Sequence, residues 1–254
     1  MLKTVDPGFG TRVSDELRCH GIYVETNVRV ERIDREDTRL HVIGSNQFQP
    51  NSELARVAGI EVGERGAIYV SRRMETNLPD IYAAGDCVET WHRVLNLATY
   101  LPLGSTAHKQ GFVAGENAVG GAREFAGIVG TRVVKVFDLV IARTGLRDQE
   151  AAQAGFDPFT VETATWDHKV YYPEAREVRI RLTGDRKTGL LLGAQMLGHV
   201  HSESAKRIDI FATALFQNMR IEELNDLDLS YTPPLGNPWD SVQMSAQSWM
   251  KALR

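Results

Sequence analysis

The chain has 254 residues, of which 43% are hydrophobic and 24% are charged, and its formal net charge is −4. These values are typical of a folded globular protein and exclude an intrinsically disordered chain. Without an excess of basic residues, sequence-independent binding to nucleic acid is not expected. Without an apolar run of about 18 residues, no membrane-spanning helix is expected either.

The sequence contains few residues that could bind a metal or form disulfides. Its two cysteines, Cys19 and Cys87, are too few for a disulfide framework or a four-ligand zinc site. Because the first residues contain no apolar signal core, we expect a reducing, cytoplasmic setting. Cys87 follows the carboxylate of Asp86, which does not favour a thiolate, so we interpret both cysteines as packing residues. We interpret His199 and His201 as structural residues and expect no metal.

The first part of the chain shows the pattern of an α/β unit. Val13 and Leu17 lie one helical turn apart within 10–20, and Gly21 is a typical stop, so we predict a helix followed by a strand at 22–24. Further on, the apolar run 81–84 lies between Pro79 and Gly85. This run predicts a short strand buried in a parallel sheet.

A helix is predicted from about Ser105 to Ala118. Ala107, Gly111, Ala114 and Ala118 recur at helical spacing and leave one face almost bare of side chains. The favoured interpretation is close packing of this face against a strand, and the alternative is the approach of a flat ligand.

The glycines between 120 and 130 suggest a boundary, with one domain at 1–125 and a second at 126–254. In the second domain, residues 178–182 alternate as a half-exposed strand and pass through a polar turn to a returning strand at 190–197. An amphipathic helix follows, with Ser202 as its predicted N-cap. A hairpin sheet covered by this helix leaves one face bare, so we expect a homodimer.

The strongest local signal for chemistry is Ala83-Ala84-Gly85-Asp86. Glycine permits close approach of a backbone to a ligand. A carboxylate at the same turn can accept hydrogen bonds from ribityl or ribose hydroxyls. These residue types, in this order after a strand, favour a flavin dinucleotide.

The run Thr76–Cys87 resembles the second flavin-contacting motif of the pyridine nucleotide-disulfide oxidoreductases. Residues 101–111, with Asn117 and Gly120, are similar to the helix that follows this motif in the branch of coenzyme A-disulfide reductases, persulfide reductases and NADH oxidases. Segments of the second half of the chain resemble the C-terminal dimerisation domain of that branch. They are Phe137-Asp138, Thr144-Gly145-Leu146, Leu192-Gly193-Ala194-Gln195, Lys206-Arg207-Ile208-Asp209 and Tyr231-x-Pro233-Pro234.

The resemblance implies a fold and a site. The fold class is an α/β, partial FAD/NAD-binding Rossmann-like region followed by an α+β dimerisation domain with an antiparallel sheet. The cofactors are FAD and NAD(P)H. The implied cofactor-binding residues are Gly85, Asp86, Gly104, Ser105, Thr106 and Ala107. The implied catalytic residue is Tyr231, whose hydroxyl approaches the redox centre of the partner subunit; packing at the dimer interface is the alternative.

Part of the family pattern is absent from this sequence. Neither G-x-G-x-x-G fingerprint occurs in a strand–turn–helix context, so the chain resembles the C-terminal portion of a family member. We keep three hypotheses. The chain is the C-terminal portion of a FAD- and NAD(P)H-dependent oxidoreductase, or it is a truncated, non-catalytic dimerisation protein that has lost cofactor binding, or a separate chain supplies the FAD-binding half.

Overall fold

The computed structural model describes residues 5–24, 30–36, 39–45, 49–63 and 65–254. The chain divides into two compact units. The first contains Leu17–Trp91 and Leu97–Gly127. The second contains the residues before Leu17, together with His92–Asn96 and Ile128–Arg254. The assignment of a cofactor role to 1–125 and a dimerisation role to 126–254 stays a prediction.

Three helices and four strands are described before residue 128. They are the helices α1 (Pro7–Cys19), α2 (Glu53–Val57) and α3 (Gly104–Ala118), and the strands β1 (Val30–Glu36), β2 (Arg39–Ser45), β3 (Thr90–His92) and β4 (Leu97–Thr99). Strands β1 and β2 form an antiparallel hairpin, and β3 pairs with β4. The predicted helices at 10–20 and 105–118 are confirmed as α1 and α3.

Two predicted strands are wrong. Residues 22–24 form no strand. At 81–84 the chain makes only an isolated antiparallel bridge between Tyr82 and Glu75, and Ile81 is 39% exposed. A buried parallel strand needs hydrogen-bonded neighbours on both edges, and among the described residues of the first unit this segment pairs only with the antiparallel stretch around Glu75.

The second unit is built on a five-stranded antiparallel sheet in the order β5-β6-β9-β8-β7. Its strands are β5 (Arg132–Val136), β6 (Leu139–Gly145), β7 (Pro158–Trp166), β8 (Glu177–Asp185) and β9 (Leu191–His199). The predicted hairpin is confirmed as β8 and β9. Along β8, Val178, Ile180 and Leu182 are buried, while the arginines between them are partly exposed.

Besides most of α1, the described part of this unit contains the helices α4 (Asp148–Gln153), α5 (Ser204–Phe216), α6 (Ile221–Asn225) and α7 (Ser241–Leu253). Helix α5 packs on β6 and β9, and α7 packs on β7 and β8. The core between helices and sheet includes Phe211, Met196 and Trp249. The predicted cap of α5 is wrong: the N-cap is Glu203, at a φ of 56°, and the Ser202 hydroxyl donates to the carbonyl oxygen of His199 instead.

The motif glycines of β6 and β9 have a physical reason. At Gly145 an added Cβ would meet the backbone of Leu192 and Gly193, and at Gly193 it would meet the backbone of Leu146. Backbone atoms in two paired strands cannot move aside cheaply, so only glycine fits. Among the helices that the structure describes, none is long and apolar enough to cross a membrane.

Candidate functional site

The segment that carries the flavin-type motif folds as a tight reversal followed by a turn. The amide of Thr76 donates to the carbonyl of Ile81, and the amide of Leu78 donates to the Thr76 hydroxyl. This side-chain bond explains why threonine begins the motif. After the reversal, the amide of Val88 donates to the carbonyl of Gly85, which closes the turn.

Gly85 lies at the centre of the predicted site. Its φ of +94° is a conformation that other L-residues rarely adopt. A Cβ built on Gly85 would lie 3.7 Å from the Cβ of Ala107, which is ordinary contact. The turn therefore meets the first turns of α3, where the structure brings Gly85 and Ala107 together.

The N-terminus of α3 is open. Its N-cap residue, Leu103, makes no side-chain cap, and Gly104 and Ser105 are exposed. The first amide groups of a helix have no partner within the helix and carry the positive end of its dipole. This end of α3, close to the Gly85 turn, is suited to a negatively polarised ligand atom.

Among the described residues, no strand packs on the small-residue face of α3 at Gly111, contrary to the favoured interpretation. The buried face of the helix consists of Thr106, Gln110, Val113 and Asn117. Gly111 is exposed, and a Cβ built on it would meet no atom within 4 Å. Thr106, a predicted cofactor residue, is thus buried inside the first unit.

A cavity of about 490 Å³ lies beside the turn. Its lining includes Asp86, Cys87 and Tyr100, with Pro50, Asn51 and Pro102. Burial, with the neighbouring Asp86 and Cys87 contributing, raises the pKa of the Tyr100 phenol above its usual value. Tyr100 thus remains a neutral hydrogen-bond donor at physiological pH. The exposed carboxylate of Asp86 is open to hydroxyl donors.

Tyr231 lies in the second unit, in the loop after α6, and is 44% exposed. It lines a separate cavity of about 460 Å³ together with Arg207 and Asp240. The buried Arg207 guanidinium pairs with Asp240 at 2.9 Å. It also donates to the carbonyl oxygens of Ser202 and Asp167. Arg207 thus ties the loops around Tyr231 to helix α5.

Cysteine and histidine residues form no centre in the part of the chain that the structure describes. Both cysteines are free thiols; Cys19 is exposed and Cys87 is half-buried. The rings of His199 and His201 contact each other with centroids 5.2 Å apart. No group of three or more metal-ligating side chains occurs among the described residues.

Sequence reasoning missed two residues near the Gly85 turn. Gln110 is buried and its side-chain oxygen accepts a hydrogen bond from the Gly85 amide at 3.0 Å. Tyr100 lines the cavity next to Asp86. A glutamine in a polar helical stretch normally indicates a solvated position, so only the packing of α3 reveals Gln110.

Comparisons with known proteins agree with this fold. The family model "Pyridine nucleotide-disulphide oxidoreductase" matches residues 1–111. The model of the dimerisation domain of the same family matches residues 131–241. Together they cover most of the chain.

Curated relatives and solved structures give the same result. The chain is 34% identical over 258 residues to the CoA-dependent NAD(P)H sulfur oxidoreductase of Pyrococcus furiosus, covering 96% of this chain and 57% of the relative. It is 30% identical over 255 residues to the coenzyme A disulfide reductase of Staphylococcus aureus, covering 95% and 57%. A solved NAD-dependent persulfide reductase from A. fulgidus superposes with a TM-score of 0.88 and 38% identity, covering 98% of this chain and 48% of that one.

The fold is thus a Rossmann-like redox region with an antiparallel dimerisation domain, and the predicted fold class is confirmed. The chain belongs to the pyridine nucleotide-disulphide oxidoreductase family, and the predicted resemblance is confirmed. It spans about half of the length of the relatives it matches.

Proposed function

We propose that this chain forms part of a FAD- and NAD(P)H-dependent oxidoreductase of the CoA-disulfide reductase, persulfide reductase or NADH oxidase type. The observation that carries the proposal is the contact between the Gly85 turn and the first turns of α3. The relatives named above are oxidoreductases of these types, which supports the same conclusion.

The residues at the turn fit one part of a flavin dinucleotide. Asp86 presents an exposed carboxylate that can accept from ribityl or ribose hydroxyls. Gly104 and Ser105 present the uncapped amide groups of α3, with Ala107 packed behind the turn. When bound, FAD would supply the electron-transfer chemistry, while these residues bind and orient it.

Tyr231 is proposed as a catalytic residue from the terminal loop that approaches the redox centre of a partner subunit. Its exposure supports this role. The alternative is packing at the dimer interface. Tyr231→Phe separates the two: loss of a catalytic hydroxyl lowers kcat and leaves the dimer mass unchanged, whereas loss of interface packing weakens the dimer.

The assembly and location are part of the proposal. The match to a dimerisation domain supports a homodimer. Two free thiols, one of them exposed, suit a reducing cytoplasmic compartment. A separate chain that carries the G-x-G-x-x-G fingerprint is a further proposed partner, since this sequence holds no such fingerprint.

The test is a titration of the purified chain with FAD, followed by flavin absorbance and fluorescence. We expect saturable binding, and we expect Asp86→Asn to weaken it by about tenfold because hydrogen bonds to a charged acceptor are lost. Asp80→Asn is the matched control. Asp80 is an exposed carboxylate in the preceding reversal, at a φ of 60° that asparagine tolerates.

Equal binding of FAD by wild type and Asp86→Asn would contradict the site assignment. A colourless chain without saturable binding would instead favour the non-catalytic alternative. If binding then appeared on addition of a chain carrying the G-x-G-x-x-G fingerprint, the FAD site would be shared between two chains.

A further inference from the structure

Helix α3 buries two carboxamide side chains on the same face. Asn117 is 2% exposed and Gln110 is 1% exposed. The Asn117 side chain donates to the carbonyl oxygens of Arg73 and Arg123 and accepts from the Arg123 amide, each at 2.8 Å. Asn117 is therefore satisfied by its own loops, and its role is structural.

Gln110 differs from Asn117 in one respect. Its Oε1 accepts from the Gly85 amide at 3.0 Å, but its buried Nε2 has no hydrogen-bond partner among the described atoms. Leaving a buried donor unpaired costs about 1–3 kcal/mol. The Nε2 group of Gln110, next to a candidate binding turn, therefore has a hydrogen-bond donor to offer to a ligand oxygen or a water molecule.

The location of this donor is defined by the bond it accompanies. Oε1 and Nε2 share one carbon atom, so Nε2 lies close to the Gly85 amide. Gly85 itself adopts a φ of +94° and meets Ala107 of α3. The backbone of the turn, the start of the helix and the spare amide donor therefore lie together within the first unit.

We propose that Gln110 is a positioning residue for this site. Its oxygen holds the Gly85 backbone in the binding conformation, and its nitrogen donates to an oxygen of the ligand bound at the turn. The identity of that ligand, FAD, rests on the proposed function. The hydrogen bond from the Gly85 amide to Gln110 does not depend on the proposed function, because it is a contact within this chain.

The first experiment measures hydrogen exchange at the Gly85 amide in the full chain without flavin. Gln110→Met keeps the length of the side chain and removes both polar atoms, so we expect exchange at Gly85 to rise by about tenfold. Gln110→Glu keeps the acceptor and should preserve the protection. Unchanged exchange in Gln110→Met would overturn the positioning role.

The second experiment measures affinity for FAD and for riboflavin, which lacks phosphate. At a pH at which the new carboxyl is ionised, Gln110→Glu leaves no donor at this position, and we expect about tenfold weaker binding of both probes. Weaker binding of FAD alone would show charge repulsion between the new carboxylate and the phosphates. That result, or unchanged binding of both probes, would overturn the donor role and leave a water molecule as the partner of Nε2.

Asn117→Asp is the matched control for both experiments. It removes the donors to the carbonyl oxygens of Arg73 and Arg123 and should lower the urea midpoint without a selective change at Gly85. If the wild type binds neither probe, the proposal that this chain by itself binds FAD is wrong. The exchange experiment then still decides whether Gln110 holds the turn.

Discussion

At the scale of single residues, the second unit buries charged and titratable groups around His92. Arg143 pairs with Glu150 at 2.6 Å. Burial alone would raise the pKa of Glu150, but the hydrogen bonds and charge of Arg143 outweigh it, with help from Arg147, and lower the pKa to about 2. Burial lowers the pKa of His92 to about 4, and the positive charge of Arg143 acts in the same direction.

A depressed histidine pKa makes stability depend on pH. The folded chain keeps His92 neutral where the unfolded chain, with a pKa of 6.5, binds a proton. Because the unfolded chain binds this proton more readily, the folded state loses stability relative to it on acidification. This loss is absent above about pH 6.5, grows as the pH falls and is complete below about pH 4. We expect this group to lower the free energy of unfolding by about 2 kcal/mol between pH 7 and about pH 4.5.

The measurement is urea unfolding of wild type and His92→Asn at both pH values. Asparagine can still accept from the Leu95 amide, as the His92 Nδ1 does. Because asparagine does not titrate, the variant should lose less stability on acidification. An equal loss of stability on acidification in both proteins would show that His92 does not cause the pH dependence.

At the scale of elements, helix α3 and the Gly85 turn use glycine for different reasons. Gly85 needs glycine for its positive φ, and an added Cβ would meet only ordinary contact with Ala107. Gly111 lies in a regular helix with open space beside it. The first glycine is thus required by backbone conformation, and the second is required by no contact within the described chain.

Alanine substitutions at the two positions should therefore have opposite effects. We expect Gly85→Ala to lower the free energy of unfolding by about 1–2 kcal/mol, because alanine rarely adopts this conformation. We expect Gly111→Ala to raise it by about 0.5–1 kcal/mol through helix propensity. Both values are measured by urea unfolding; destabilisation by Gly111→Ala would reveal a close contact on the small-residue face.

At the scale of the whole molecule, aromatic side chains of the second unit are exposed at the end of β7 and in the loop before α7. Trp166 is 44% exposed and Trp239 is 53% exposed, so they are not core residues. The Asn237 side chain donates to the carbonyl of Trp166, which links the end of β7 to this loop. Neighbouring exposed aromatic groups are typical of protein–protein interfaces. We therefore expect the homodimer to use this surface.

Light scattering should give a mass twice the 28.3 kDa of the chain. Trp239→Lys should shift the mass toward that of the monomer, because a charge replaces an apolar contact. Phe112→Lys is the control, since Phe112 is 63% exposed, more than Trp239, but lies on α3 in the first unit. A monomeric wild type would contradict the dimer, and an unchanged dimer in Trp239→Lys would move the interface elsewhere.

The sequence by itself determined the family, the helices α1, α3 and α5, and the hairpin. Alternation at Val178, Ile180 and Leu182 predicted β8 because period two is a property of a strand on its own. The motif at Gly85 predicted a binding turn because glycine permits close approach of a backbone to a ligand, which is a local property of the residue.

Only the tertiary structure decided which faces are buried. It placed Gln110 inside and Gly111 outside, exposed Ile81 in a segment predicted to be buried, and capped α5 with Glu203. Burial depends on which other elements pack nearby, and spacing along one helix or strand does not contain that information. The spare donor of Gln110 follows from packing of this kind, so no sequence motif could have shown it.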